Sequence, residues 1–217
     1  MGHDTLRRLH GGQRASGTTL DHFRLNEAVS QVAFAGRRGR VYRQIVALAG
    51  VRPGDAVLDV GCSGGYLARK LAAAAGPAGR VTGVDPSQAA ITHARRALPA
   101  MTFTTGTAQD LPLPDASFDV VTCTLAMHHV PARRRGDALA EMYRVTRPGG
   151  RLLIADFDPS RRPLPLHPGG TRMRRAAATV GPLEELAAAA GYQVESAGPL
   201  ALLRYVTAVR PARSAAP

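Results

Sequence analysis

Two acids stand where their neighbours give them chemistry to do. Asp59 belongs to Val57-Leu58-Asp59-Val60-Gly61-Cys62-Ser63-Gly64-Gly65, an apolar run that breaks into a turn of small residues. Asp85 closes a second apolar run and leads into Pro86-Ser87. A strand, a glycine-rich turn, a helix and a second strand ending in an acid build a nucleoside-sized crevice at the carboxyl ends of a parallel sheet. The turn lets backbone approach a ligand closely, and the acid after the second strand can grip ribose hydroxyls. Asp59 decides which nucleoside fits. An acid two residues before the turn is awkward beside a pyrophosphate, because two anions would share one small pocket. It suits a ligand carrying an ammonium group and a second positive centre, while amides at the helix N-terminus receive a carboxylate. A zwitterionic amino acid joined to a nucleoside meets both demands.

The elements that must hold these acids alternate along the chain. Apolar residues recur at helical spacing from Arg37 to Ala49, with Gly50 as a stop and Pro53-Gly54 as a turn. Ala56 to Val60 reads as a buried parallel strand, and the next helix runs from about Gly64 to Ala75. Strands are expected at Arg80 to Val84, Met101 to Thr105, Phe118 to Thr124 and Arg151 to Asp156. The helix after the second strand is capped by Ser87 or Asp85, and Leu139, Met142 and Val145 mark one face of another, closed by Pro148-Gly149-Gly150. A helix opening at Pro182 ends at Gly191, and two strands follow, near Tyr192 to Ser196 and Leu202 to Val209. The pattern predicts an α/β fold: a Rossmann-like doubly wound sheet of about seven strands, mostly parallel with a C-terminal antiparallel hairpin, and helices on both faces. Residues 1–35 are expected to form an N-terminal flexible or lid segment, 36–210 a single domain and 211–217 a disordered tail. The connection from Asp158 to Gly181 is long enough to serve as a substrate loop.

Composition narrows the class. The 217 residues suffice for one α/β domain, and no apolar run approaches membrane-spanning length. The net charge of +12 invites a nucleic-acid partner, but the positive charge is almost all arginine and no aromatics interleave with it to stack bases. The arginine clusters Arg37-Arg38-Gly39-Arg40, Arg133-Arg134-Arg135 and Arg161-Arg162 therefore read as solvated surface. Cys62 and Cys123, each at a predicted strand end, read as small buried fillers rather than metal ligands, and they suit a reduced, cytoplasmic protein.

Four segments, taken together, resemble the class I S-adenosylmethionine-dependent methyltransferases, closest to the type 11 group of ubiquinone and menaquinone biosynthesis. They are Asp59 to Gly65, Gly83 to Ser87, Gly106-Thr107-Ala108-Gln109-Asp110-Leu111-Pro112 running into Asp115 to Val121, and Glu141 to Gly150. The resemblance implies S-adenosylmethionine as cofactor. By it, Asp59 and Gly61 hold the methionine end and Asp85 binds both ribose hydroxyls. Thr107 and the Ala108 backbone meet the adenine, and Cys62, Ser63, Gly65, Pro86 and Thr124 complete the lining. Two positions depart from the family. Thr107 stands where an acid usually meets the adenine amino group, and Ser63 stands where glycine is common. Its Cβ resists positive φ, so Ser63 is expected in an ordinary backbone region.

Methyl transfer from a sulfonium is a direct displacement, so alignment and exclusion of water are the protein's main tasks. Where the acceptor is a hydroxyl, a base helps, and His128 or His129 beyond the fourth strand is placed to be one. Tyr42, Tyr66 and Phe34 either border the pocket or pack the core, and Asp115 and Asp119 shape the turn into the fourth strand. Cys123-Thr124-Leu125-Ala126 offers no amide side chain to orient a base nitrogen, so a small-molecule acceptor is expected and nucleic acid is not. RNA methylation or a non-catalytic cofactor-binding subunit are the alternatives. No membrane partner is expected, and the protein is expected to be a monomer or homodimer.

Overall fold

Continuous apolar runs fill the middle of a seven-stranded sheet, in a computed structural model that describes residues 37–158, 160 and 182–212. The strands are β1 (Ala56–Val60), β2 (Arg80–Asp85), β3 (Thr102–Thr105), β4 (Phe118–Thr124), β5 (Thr146–Phe157), β6 (Gln193–Leu200) and β7 (Leu203–Val209). Their order across the sheet is β3-β2-β1-β4-β5-β7-β6. β1 to β5 pair in parallel, and β7 runs antiparallel to both β5 and β6. All five residues of β1 are buried, as a strand covered on both faces requires. The order of successive strands reverses between β1 and β4, so the crevice of an open α/β sheet falls there.

Among the described residues five helices cover the sheet: α1 (Arg38–Ala49), α2 (Tyr66–Ala75), α3 (Gln88–Ala97), α4 (Arg135–Val145) and α5 (Leu183–Ala189). Alternation along the strands divides the core in two. Val57, Val81, Val120 and Leu153 pack with Ile45 of α1, Leu71 of α2 and Ile91 of α3. Leu58, Val121, Leu152 and Ile154 pack on the other face with Leu139 and Met142 of α4 and Leu183 of α5. Both cysteines are buried, Cys62 at 5 % exposure and Cys123 at 0 %, and burial pushes both thiols up.

The expected stops and caps are in place. Gly50 ends α1 in the left-handed region at φ 60°. Ser87 Oγ accepts the amide of Ala90 at 3.3 Å and caps α3, while Asp85 supports the cap by accepting the Ser87 amide at 2.8 Å. Asp119 accepts the amide of Ala56 at 2.8 Å and pairs with Arg147 at 2.6 Å, tying the start of β4 to the start of β1.

One boundary differs from expectation. α4 feeds into β5 at Thr146 with no intervening loop, and Pro148-Gly149-Gly150 lies inside β5 as a bulge. Phe118 pairs with Thr146 and Val120 with Arg151, so the extra residues loop out, with Gly149 at φ 77°. At the helix end, Arg210 donates to the carbonyls of Tyr143, Arg144 and Thr146 at 2.8, 3.2 and 2.7 Å. It satisfies acceptors that a helix C-terminus leaves open.

Phe34, the segment 1–35, nearly all of the Asp158 to Gly181 connection and the end of the tail lie outside the described residues.

Candidate cofactor and acceptor site

Asp59 projects from β1 on the side of Val57, beside Thr122 and Thr124 of the adjacent strand β4. It is 2 % exposed. The Thr122 hydroxyl lies 3.1 Å from Asp59 Oδ1, while Asp59 Oδ2 and the buried Thr124 Oγ1 meet no hydrogen-bond partner among the described residues. Burial pushes the Asp59 carboxyl up to about 7, the Thr122 hydroxyl pulls it back, and the nearby Asp85 carboxylate pushes it further. A buried acceptor without a donor is costly, so this corner calls for a donor from outside. An ammonium group supplies both the hydrogen bonds and the charge that would hold Asp59 ionised.

Asp85 ends β2 half-buried, with Oδ2 accepting the amide of Ser63 at 2.9 Å and Oδ1 that of Ser87 at 2.8 Å. Burial raises its carboxyl, and the two amide bonds oppose that rise. Each carboxylate oxygen keeps a further lone pair, enough for two vicinal hydroxyls. Pro86 follows at the exposed rim.

The turn between β1 and α2 is tight for a stated reason. A Cβ on Gly61, at φ 75°, would lie 2.4 Å from Ala126 Cβ, so the loops after β1 and β4 touch there. At Gly65, φ 84°, a Cβ would meet Leu98 Cδ1 at 2.7 Å. Ser63 corrects the expectation made for it: it occupies the left-handed region at φ 49°. The Ser63 amide donates to Asp85, so the strained residue joins the β1 turn to the β2 acid. The amides of Gly61 and Cys62 both donate to Val84 O, at 2.7 and 3.1 Å. Those groups are committed within the fold, which shifts the reception of a carboxylate to Gly64 and the first turn of α2.

Thr107 is exposed and Ala108 packs against the core, in the loop after β3, where Thr107 bridges to Asp110. The Glu141 to Gly150 segment explains its own acid and base. Glu141 accepts the Leu111 amide at 2.8 Å, and Arg144 donates to Leu111 O at 3.0 Å and Leu113 O at 2.8 Å. α4 therefore staples the loop that carries Thr107 and Ala108.

Beyond β4, His128 and His129 stand on a short 3-10 turn, Met127–His129, with ring centroids 4.0 Å apart. The structure separates them. His128 Nδ1 lies 2.8 Å from Asp156 Oδ1, and the His128 amide donates to Asp156 Oδ2 at 3.1 Å. His129 is exposed. Asp156, the penultimate residue of β5, is 0 % exposed and was not among the expected site residues. The signal was present: a single acid closes the apolar run Leu152-Leu153-Ile154-Ala155, as Asp85 closes its own strand. Tyr42 and Tyr66 meet edge to face at 5.0 Å, and the Arg38 guanidinium sits 3.9 Å from the Tyr66 ring centroid. Two arginines expected at the surface are buried, Arg38 at 5 % and Arg135 at 4 % exposure. Among the described residues no cluster of three His, Cys, Asp or Glu could hold a metal, and no helix is long and apolar enough to cross a membrane.

Comparison with known proteins agrees with this arrangement. Residues 57–150 match the family model described as a methyltransferase domain. The chain is 41 % identical over 136 residues to the demethylmenaquinone methyltransferase of Symbiobacterium thermophilum, covering 60 % of this chain and 53 % of that one. It is 38 % identical over 128 residues to the ubiquinone/menaquinone biosynthesis C-methyltransferase UbiE of Ectopseudomonas mendocina, covering 56 % and 49 %. The chain thus spans about half the length of these curated relatives. A SAM-dependent methyltransferase from Aquifex aeolicus shares the fold with a TM-score of 0.70 at 19 % identity, over 88 % of this chain and 98 % of that one. The glycine turn, the acid that closes β2 and the stapled loop all lie within the one segment, residues 57–150, that matches the methyltransferase-domain model.

Proposed function

We propose that this protein is an S-adenosylmethionine-dependent methyltransferase acting on a small, quinone-like acceptor whose attacking atom must give up a proton. The observation that carries the reading is the pair of buried, unsatisfied oxygens, Asp59 Oδ2 and Thr124 Oγ1, beside an Asp85 carboxylate with lone pairs to spare. Together they fit an amino group and a ribose diol. The bound cofactor supplies an activated methyl group on a sulfonium. Asp59, with Thr124, holds the amino end, Asp85 clasps the diol, and Gly61 lets the backbone come close. Cys62, Ser63, Gly65 and Pro86 shape the wall behind it, and Thr107 and Ala108 border the adenine. The named relatives act in menaquinone and ubiquinone biosynthesis, which supports the acceptor class.

His128 is the base. Its Nδ1–H is engaged by the acceptor-only Asp156 carboxylate, so Nε2 keeps its lone pair. Nε2 takes the acceptor's proton as the acceptor attacks, and Asp156 steadies the imidazolium that results. His129 is exposed. Calorimetry with S-adenosylhomocysteine tests the cofactor half, and transfer of labelled methyl to a reduced 2-alkyl-1,4-naphthoquinone tests the acceptor half. Absence of binding in the first experiment removes the reading as a whole.

A further inference from the structure

Arg135 occupies a place that electrostatics alone would not give it. It is the first residue of α4, where the helix dipole favours acids, and it is buried at 4 % exposure. Burial draws its basicity down, while the nearby Asp156 carboxylate supports it. Its Nε points back at the turn before the helix, 3.3 Å from Met127 O and 3.2 Å from Val130 O. These carbonyls bracket the histidine pair.

The same turn is fixed from three other directions. Leu125, held at φ 56°, donates its amide to Ala155 O at 2.8 Å. The amides of His129 and Val130 donate to Ala126 O and Met127 O at 3.1 and 3.0 Å. Asp156 holds His128 by both amide and ring. A non-glycine residue stays in the left-handed region only where its surroundings over-determine it, and Arg135 is the one charged side chain among these ties that grips both ends of the turn.

We propose that Arg135 is a positioning residue: by sharing Nε–H between Met127 O and Val130 O it fixes the turn under His128, and so sets the direction of the free imidazole nitrogen. The inference rests on His128 as proton acceptor. Arg135 acts through backbone carbonyls, so a donor at the position of Nε matters more than the charge. Three substitutions separate the two. Arg135→Gln keeps a nitrogen donor at that position and loses the charge, Arg135→Lys keeps the charge one atom too far, and Arg135→Met keeps neither.

The test is long-range nitrogen–proton NMR of the imidazoles in the full-length chain, with His128 identified by its absence from His128→Gln. Calorimetric affinity for S-adenosylhomocysteine is measured alongside. Wild type should show His128 as a single tautomer protonated on Nδ1. Arg135→Met should give a mixture of tautomers, with S-adenosylhomocysteine affinity unchanged. Arg135→Gln should keep the wild-type spectrum. The proposal is overturned if Arg135→Met leaves the tautomer as in wild type, or if Arg135→Gln loses the tautomer as fully as Arg135→Met does. Should Arg135→Met not fold, Gln retaining the tautomer and Lys losing it supports the proposal, and the reverse order overturns it. Failure of wild type to bind S-adenosylhomocysteine would remove the proposed function, while the His128 spectra would still judge whether Arg135 sets the ring.

Discussion

The two sides of the crevice are built on opposite principles. Around Asp59 of β1, Asp59 Oδ2 and Thr124 Oγ1 of the neighbouring β4 meet no hydrogen-bond partner among the described residues, and Ser63 sits in a strained conformation. At the ends of β4 and β5, Asp156 has both oxygens engaged, by the His128 ring and by the amides of His128 and Phe157. The first side is incomplete until a ligand supplies donors. The second is assembled in advance, as a base must be if it is to act without reorganising. Affinity should therefore be tuned on the first side and rate on the second.

Four experiments can break that division. The largest effect belongs to the proposed base: His128→Ala should lower the methyl-transfer rate by about 100-fold or more, with S-adenosylhomocysteine affinity unchanged in calorimetry. Loss of affinity instead would place His128 on the binding side. Asp85→Ala comes next, weakening S-adenosylhomocysteine by more than about tenfold as two charge-assisted hydrogen bonds disappear. A change in rate without a change in affinity would reverse the assignment.

The third experiment follows from the raised Asp59 carboxyl. Its folded value near 7 stands above the unfolded value near 3.8, so the ligand-free fold prefers the protonated form. Stability contributed by this group is fully present below about pH 4, declines as pH rises toward 7, and is level above that. An ammonium ligand reverses the preference by favouring the carboxylate. S-adenosylhomocysteine should thus bind about tenfold more weakly for each pH unit below 7, and should raise Tm more at pH 8 than at pH 6. Asp59→Asn should flatten both dependences. The smallest effect is expected from Ser63→Gly. Relief of left-handed strain, offset by a freer unfolded chain, should raise Tm by roughly 1–2 °C. A fall of several degrees would show that the serine side chain holds the turn.

Much of this was legible in the residues, and the gaps have a common cause. Strands with continuous apolar runs and helices with clear stops, such as Gly50, announced themselves because local sequence and burial agree. The Asp59 and Asp85 positions were readable from spacing because both acids close or interrupt strands next to a glycine turn. The bulge at Pro148-Gly149-Gly150 was hidden, since proline and two glycines look the same in a loop and in a bulge. Ser63 misled because its conformation is dictated by the Asp85 carboxylate, a partner 22 residues away. The burial of Arg135 was likewise illegible. It lies in a run of three arginines whose other members are exposed, and only the folded turn presents the two carbonyls that receive it.

Arg210 carries a last consequence, for how the molecule can be shortened. It lies just past the final strand yet serves the end of α4, far back in the chain, so the integrity of an internal helix is mortgaged to the C-terminal margin. Trimming the protein at residue 209 would remove the donor that three carbonyls share and slacken α4 from its far end. The staple on the adenine-side loop, anchored by Glu141 and Arg144, would loosen with it. A truncation that spares every site residue would then still be felt as a weaker grip on the nucleoside.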